Sequence, residues 1–529
     1  QNLGEERKSH TVKIIDFENL ENNEFLITNQ FKVAGINQNI IPDIILFVNG
    51  LPLAVIECKS PFITNPMEAG INQLLRYCNN RKPEENEGAE KLFYYNQILV
   101  STYNNQARLG TISSRYEHYL EWKDVYPKNI ENFKNNSSQE ILIEGVFNHK
   151  NFLDIIRNFT IFEVVEGKTI KKIPRYQQYR AVHKTVEKIS KGKNKKEKGG
   201  VIWHTQGSGK SLTMVFLAQV FRRNEELKKY KLLYITDRTQ LDSQLTTTFQ
   251  NTQDETVLQA DSAKDLRELI SKDSSDLITS TIQKFQEIRG ENLKVLNDSE
   301  NIVVLIDEAH RTQYGTFGMV LNTVLPNAAK IAFTGTPLLK SELTTGEFGD
   351  YIDKYTIEQS VEDGATLQIL YEGREVKTKV EGESLDNLFE EYFSDKTKEE
   401  KNEIKRKYGI EKAVLEAPKR IRWVCLDIIK HYREKIQPNG FKAMIVTSSR
   451  HAAVMYKNML DELNAPNSNV IISGDHNDPE ELRKYTDSIE HKKIIKDFKE
   501  NDLSESKCHI IIVKDMLLTG FDVPICQVM

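Results

Sequence analysis

Residues 204–211 read His-Thr-Gln-Gly-Ser-Gly-Lys-Ser, a run of small residues closed by an amine and a hydroxyl. Such a run suits a triphosphate. Small side chains let backbone N–H groups approach phosphate oxygens, the Lys210 amine reaches the outer phosphates, and the Ser211 hydroxyl can ligate Mg²⁺ at a helix N-terminus. Thr205, Gln206, Gly207, Ser208 and Gly209 complete the loop; the strict pattern has glycine at position 204, where this chain has His204. Further on, Asp307 and Glu308 follow the apolar run 302–306, and His310 stands two residues later. Asp307 suits Mg²⁺, directly or through water, Glu308 suits the attacking water near a γ-phosphate, and His310 can sense that chemistry. A third apolar run, 329–333, ends in Thr334, Gly335 and Thr336.

A second set of reactive side chains lies near the start of the chain. Asp43 follows Pro42 at the head of the apolar run 44–48, and residues 53–59 run from Leu53 to Glu57-Cys58-Lys59. Between them Asn49-Gly50 is a strong two-residue hairpin signal, which folds the two segments antiparallel and brings Asp43 toward Glu57. The pair can then share a divalent cation. Side chains alternate along a strand, so Glu57 and Lys59 point to one face, where the lysine can reach water or phosphate beside the metal. Gln73 and Tyr77 are four apart in a helical pattern and share a helix face.

The elements that must position these groups follow from their flanks. Residues 201–203, 231–235, 302–306 and 329–333 are short apolar runs ending in polar loops, the pattern of buried parallel strands whose carboxyl ends meet at one edge. Helical patterns separate them, as an α/β fold requires. Taken singly, each motif also reads as a plain loop or a solvated charged hairpin; the order and repeated strand-then-loop setting favour one nucleotide site.

Together these motifs resemble a superfamily 2 helicase-type motor preceded by a Pro-Asp…(Asp/Glu)-x-Lys nuclease. Gln-x-x-x-Tyr after the nuclease core, with Trp203-His204-Thr205-Gln206-Gly207 and Leu518-Thr519-Gly520-Phe521-Asp522 in the motor, resembles the restriction subunit of type I restriction-modification enzymes over nearly the whole chain. The resemblance implies an N-terminal endonuclease-like domain (residues 1–155), a first RecA-like doubly wound motor lobe (156–360) and a second lobe (361–529). It makes Gln178 the adenine-reading amide, and Asp237, Arg238, Thr281, Thr334, Gly335, Thr336, Ser449, Arg450, Thr519, Gly520 and Asp522 the DNA-contacting or coupling residues. Glu308 acts in ATP hydrolysis, and Asp43, Glu57 and Lys59 in DNA cleavage, with Gln73 and Tyr77 accessory. The implied nuclease metal is Mg²⁺ on Asp43 and Glu57, with Mg-ATP on Ser211 and Asp307. The implied partners are double-stranded DNA and the methylation and specificity subunits, S-adenosylmethionine entering only through the methyltransferase.

Composition bounds the reading. The 529 residues suffice for three or four domains, and 72 basic against 77 acidic residues give a net charge of −5, so any DNA-binding groove must be local. Five cysteines without paired metal spacing suit a reducing cytoplasm, and no apolar run is long enough to span a membrane. The basic run 191–198 reads as a solvated loop, and 396–407 as an exposed charged helix or linker. The chain starts at Gln1 rather than Met and stops soon after residue 522, so an N-terminal nuclease element, the arginine-finger segment and a docking region for the methyltransferase are expected to lie outside it. Arginine fingers are worth on the order of 10³ to 10⁵ in turnover, so this chain is expected to bind ATP and hydrolyse it poorly. Two alternatives stay open: a translocase whose N-terminal domain is structural, and a non-catalytic DNA-binding or assembly module. A type III restriction subunit shares the motor but carries its nuclease after it.

Overall fold

The computed structural model describes residues 13–35, 37–80, 88–165, 167–236, 257–288, 293–307, 314–335, 348–374, 385–408, 410–475, 477–518, 521 and 523–529. Asp237, Arg238, Glu308, His310, Thr336, Thr519, Gly520 and Asp522 lie outside the described residues. The chain forms two compact units, residues 1–369 and 370–529.

The first unit holds two main sheets. Strands β1 (Phe25–Asn29), β2 (Ile44–Val48), β3 (Leu51–Lys59), β4 (Ile98–Tyr103) and β5 (Gln106–Gly110) lie in that order. All pairs are antiparallel except β3 with β4. Asn49 and Gly50 join β2 to β3 with φ of 50° and 81°, the left-handed pair that a tight hairpin needs. Strand alternation divides the side chains: Ile45, Val55 and Leu99 meet Ile71 and Leu74 of the helix Pro66–Tyr77, while Ala54, Ile98 and Val100 enter the core on the other face, which Leu53 joins at a register shift in the β2–β3 pairing.

A short hairpin, β6 (Ile161–Val165) and β7 (Lys168–Lys172), precedes the second sheet. That sheet comprises β8 (Gly200–His204), β9 (Lys231–Thr236), β10 (Val257–Gln259), β11 (Leu277–Thr281), β12 (Ile302–Ile306), β13 (Ala329–Thr334) and β14 (Tyr351–Tyr355). Its order is β10-β11-β9-β12-β13-β8-β14, parallel throughout. β9, β11, β12 and β13 are buried along their whole lengths, as a parallel sheet covered on both faces demands. The division expected at residue 155 cuts through a shared core: Trp122 packs on Tyr179, and Phe159 on Tyr179 and Phe216. The boundary expected at 360 falls instead between 369 and 370.

In the second unit β15 (Lys442–Val446), β16 (Ser468–Ile471), β17 (Ile510–Val513) and β18 (Cys526–Val528) form a parallel sheet ordered β16-β17-β15-β18. Ile510 and Ile512 face one core, Ile511 and Val513 the other. Each unit also buries a lysine at a strand start. Lys231 donates to Leu269 O, Ile270 O and Lys272 O, and Lys442 to Asp497 O, Phe498 O, Glu500 O and Ser506 Oγ. Both amines thus satisfy carbonyls at a helix C-terminus, where positive charge is favoured. No helix among the described residues is long and apolar enough to cross a membrane.

Candidate active sites

The β2–β3 hairpin and the helix Pro66–Tyr77 build the first site. Lys59 Nζ donates to Glu57 Oε1 at 2.7 Å and to Gln73 Oε1 at 2.6 Å. Gln73 Nε2 in turn donates to Glu57 Oε1 at 2.5 Å and to Tyr77 Oη at 2.6 Å. The helix can approach this closely because of Gly70, where a Cβ would sit 2.2 Å from Ser101 Oγ of β4. Asp43, just before β2, accepts the Cys58 N–H at 2.8 Å and Gln30 Nε2 at 2.7 Å, which fixes its carboxylate beside β3.

Glu57 is only 2 % exposed. Burial pushes its carboxyl up to about 7, against the pull of Lys59, and neighbouring Asp43 adds to the rise. Burial also raises the Tyr77 phenol. One oxygen of this site has no partner: Glu57 Oε2 is buried and accepts no hydrogen bond. A buried carboxylate oxygen left over beside a second carboxylate fits Mg²⁺, which binds through one or two carboxylates and keeps several waters. Among the described residues no group of three or more His, Cys, Asp or Glu side chains gathers, so water and phosphate oxygens would complete the shell.

The second site sits at the carboxyl edge of the seven-stranded sheet. β8 ends at His204, the loop follows, and the helix Lys210–Arg223 starts from Gly209. Gly207 and Gly209 have φ of 80° and 86°, the left-handed region that glycine adopts without strain. Ser208 Oγ ties the loop to Thr205 O at 2.6 Å, and Ser211 is exposed one residue into the helix. Asp307 follows β12, with its N–H on Ile235 O, and Thr334 ends β13. Gly335 then comes against the loop: a Cβ there would lie 3.1 Å from Lys210 Nζ and 3.3 Å from the Gln206 nitrogen. Three neighbouring strand ends therefore converge as the motif order implies.

Several expected roles meet a different geometry. Gln178 spends its amide on protein, accepting the Arg175 N–H at 2.8 Å and donating to Gly209 O at 3.0 Å. It acts here as a helix cap strapped to the phosphate loop. The adjacent Gln177, 1 % exposed, has neither amide atom satisfied. It lines a cavity of about 490 Å³ with Arg175, Gly207, Gly209, Arg115 and His118. Thr281 is 1 % exposed and offers no surface to a DNA backbone in this structure. In the second unit Ser449 caps the helix Arg450–Glu462, and Arg450 is paired with Asp478 at 2.6 Å. Arg180, Asp353 and Asp124, which no motif singled out, form a buried ion cluster at His204. The histidine standing in place of glycine was the only hint of it.

Two family models match the chain. "Type I restriction enzyme R protein N terminus" covers residues 2–118 and "SWI2/SNF2 ATPase" covers 177–402. Over 99 % of its length the chain is 34 % identical to a putative type I restriction enzyme MjaIXP endonuclease subunit of Methanocaldococcus jannaschii, covering 52 % of that protein. It is also 34 % identical, over 99 % of its length, to the type I restriction enzyme HindI endonuclease subunit of Haemophilus influenzae, covering 51 % of that relative. The chain thus spans about half the length of the curated relatives it matches. A solved fragment of a putative HsdR subunit from Vibrio vulnificus aligns with 97 % of this chain and 83 % of its own, at 16 % identity and a TM-score of 0.43.

Proposed function

We propose that this chain, 34 % identical over nearly its whole length to type I restriction enzyme endonuclease subunits and matched over residues 2–118 by the model of their N terminus, is such a subunit and couples ATP-driven translocation of duplex DNA to Mg²⁺-dependent cleavage of unmodified DNA. The observation that carries the nuclease half is the half-buried Glu57–Lys59–Gln73–Tyr77 network around buried Glu57, with its one unsatisfied carboxylate oxygen. Held by Asp43 and Glu57, Mg²⁺ would supply Lewis acidity at the scissile phosphate and a more acidic water. Lys59 places a positive charge on the same face, where it offsets charge growing on the phosphate oxygens. Gln73 holds Glu57 and Lys59 in one geometry by donating to the first and accepting from the second, and Tyr77 anchors Gln73. Sequence choice and methylation sensing are assigned in this reading to the specificity and methylation subunits.

In the motor half, the loop amides and Lys210 would hold the ATP phosphates, Ser211 and Asp307 would hold the Mg²⁺ that accompanies them, supplying charge neutralisation there, and Glu308 would orient the attacking water. Strand ends shared with this site convert nucleotide closure into movement along DNA. The test uses the subunit assembled with its methylation and specificity partners, and reads translocation as displacement of a triplex-forming strand from unmethylated DNA. Lys210→Ala should abolish displacement, whereas Asp43→Ala should leave it intact. Loss of displacement in Asp43→Ala would contradict a separate nuclease site.

A further inference from the structure

The seven-stranded sheet carries a buried ion cluster that the proposed chemistry does not use. Asp353 of β14, 3 % exposed, stands beside a register shift in the β14–β8 pairing. Its carboxylate accepts Arg180 Nε at 2.7 Å, Arg180 Nη2 at 2.9 Å, Lys184 Nζ at 2.9 Å and His204 Nε2 at 2.9 Å. A carboxylate only accepts, so the Nε2 proton of His204 is fixed by this contact. His204 is fully buried, and its other ring nitrogen, Nδ1, has no partner. Asp353 is therefore what holds the ring.

The cluster reaches both the loop and the nuclease-like part. On the loop side, His204 is the last residue of β8, its carbonyl lies 3.5 Å from Lys210 Nζ, and the next N–H, of Thr205, donates to Tyr355 O at 3.0 Å. On the other side, the third arm of the guanidinium, Arg180 Nη1, donates at 2.6 Å to Asp124, which is 5 % exposed and follows β5 of the first sheet. Asp124 is itself pinned, accepting the Tyr126 N–H at 2.9 Å. Arg180 shares its helix with Gln178, which donates to Gly209 O. Two carboxylates face one guanidinium and one ammonium, so removing either acid leaves buried positive charge uncompensated. Burial alone would raise Asp353, but hydrogen bonds from His204 and Arg180 hold it well below the usual carboxylate range.

We propose that Asp124, through Arg180, Asp353 and His204, positions the phosphate loop, so that the affinity of the motor for nucleotide depends on how the nuclease-like sheet is seated against it. These are positioning residues, acting through the loop that is read as holding the phosphates. The inference rests on the reading of the loop as an ATP site. A shift of the segment around Asp124 on engagement of DNA would release Arg180, slacken Asp353 and loosen the loop, giving the nuclease part a direct hold on the motor.

The test measures binding of a fluorescent ATP analogue with Mg²⁺, and hydrogen exchange of residues 200–206, in the full-length subunit. Mutations along a coupling network move linked equilibria by roughly twofold to thirtyfold. Asp124→Asn should weaken nucleotide binding about threefold to tenfold and speed exchange in 200–206, and Asp124→Glu should restore most of both. Asp353→Asn should do more, and the double variant no more than Asp353→Asn, because Asp124 acts through it. Unchanged exchange and affinity in Asp124→Asn, or additive effects in the double variant, would overturn the proposal. Equal binding by wild type and Lys210→Ala would instead defeat the ATP reading, and the exchange measurement would still decide the relay.

Discussion

Metal binding at the proposed nuclease site should switch off over a pH range that an ordinary glutamate crosses unchanged. Glu57 must be ionised to ligate a cation, and burial has pushed it up to about 7. With that value about nine-tenths of the carboxyls are ionised at pH 8, about one-tenth at pH 6 and about one in a hundred at pH 5. Because binding requires the deprotonated ligand, cation affinity should fall about tenfold between pH 8 and pH 6, and roughly another tenfold by pH 5. A glutamate at its ordinary 4.5 would show almost no change between pH 8 and pH 6. The assay is calorimetric titration of Mn²⁺ without nucleotide, with Glu57→Gln as the baseline that removes binding elsewhere. The same rise has a sign for stability: the folded state disfavours ionised Glu57, so its contribution is fully present below about 4.5 and is lost as pH climbs through about 7. The loss approaches about 3 kcal/mol at 1.36 kcal/mol per tenfold. In metal-free buffer Glu57→Gln should therefore match the wild type at pH 4 and resist unfolding better at pH 8. Affinity that stays flat between pH 6 and pH 8 would refute the reasoning.

Gly70→Ala forces a methyl against Ser101, so it should cost about 1–3 kcal/mol and weaken cleavage by displacing Gln73 and Tyr77, which thermal unfolding and a cleavage assay would show together. Gly209→Ala puts a Cβ 2.5 Å from Gln178 Nε2 at a φ of 86° and should lower ATP affinity at least about tenfold, read by equilibrium binding, with cation binding at Glu57 unaffected. Lys442→Met leaves the carbonyls of residues 497, 498 and 500 without their donor and should destabilise the second unit by about 3 kcal/mol, visible as early denaturant unfolding of residues 370–529 by hydrogen exchange.

Signals with a fixed local period were legible in the sequence. Asn49-Gly50 fixed the hairpin because few residues tolerate its positive φ values, and the i, i+4 spacing of Gln73 and Tyr77 placed both on the face that meets Glu57. The phosphate loop was readable because its glycines and Lys210 are contiguous. What was not legible depends on packing between distant segments. Gln177 and Gln178 are neighbours about 100° apart on a helix, and only the tertiary fold decides that the second spends its amide capping the helix while the first is left with an unsatisfied amide. Asp353 and Arg180 are 173 positions apart, and no spacing rule links them. The shared core of Trp122, Phe159, Tyr179 and Phe216 likewise joins segments that charge and motif position assign to different domains.

A nuclease site driven by a separate motor can lose cutting without losing movement. Wild-type subunit and Asp43→Ala, each assembled with methylation and specificity partners, are compared for ATP-dependent cleavage of unmethylated circular DNA and for DNA-stimulated ATP hydrolysis. Asp43→Ala should lose cleavage while hydrolysis persists. Cleavage that continues unchanged in Asp43→Ala would contradict it and leave the N-terminal sheet a scaffold for a translocase.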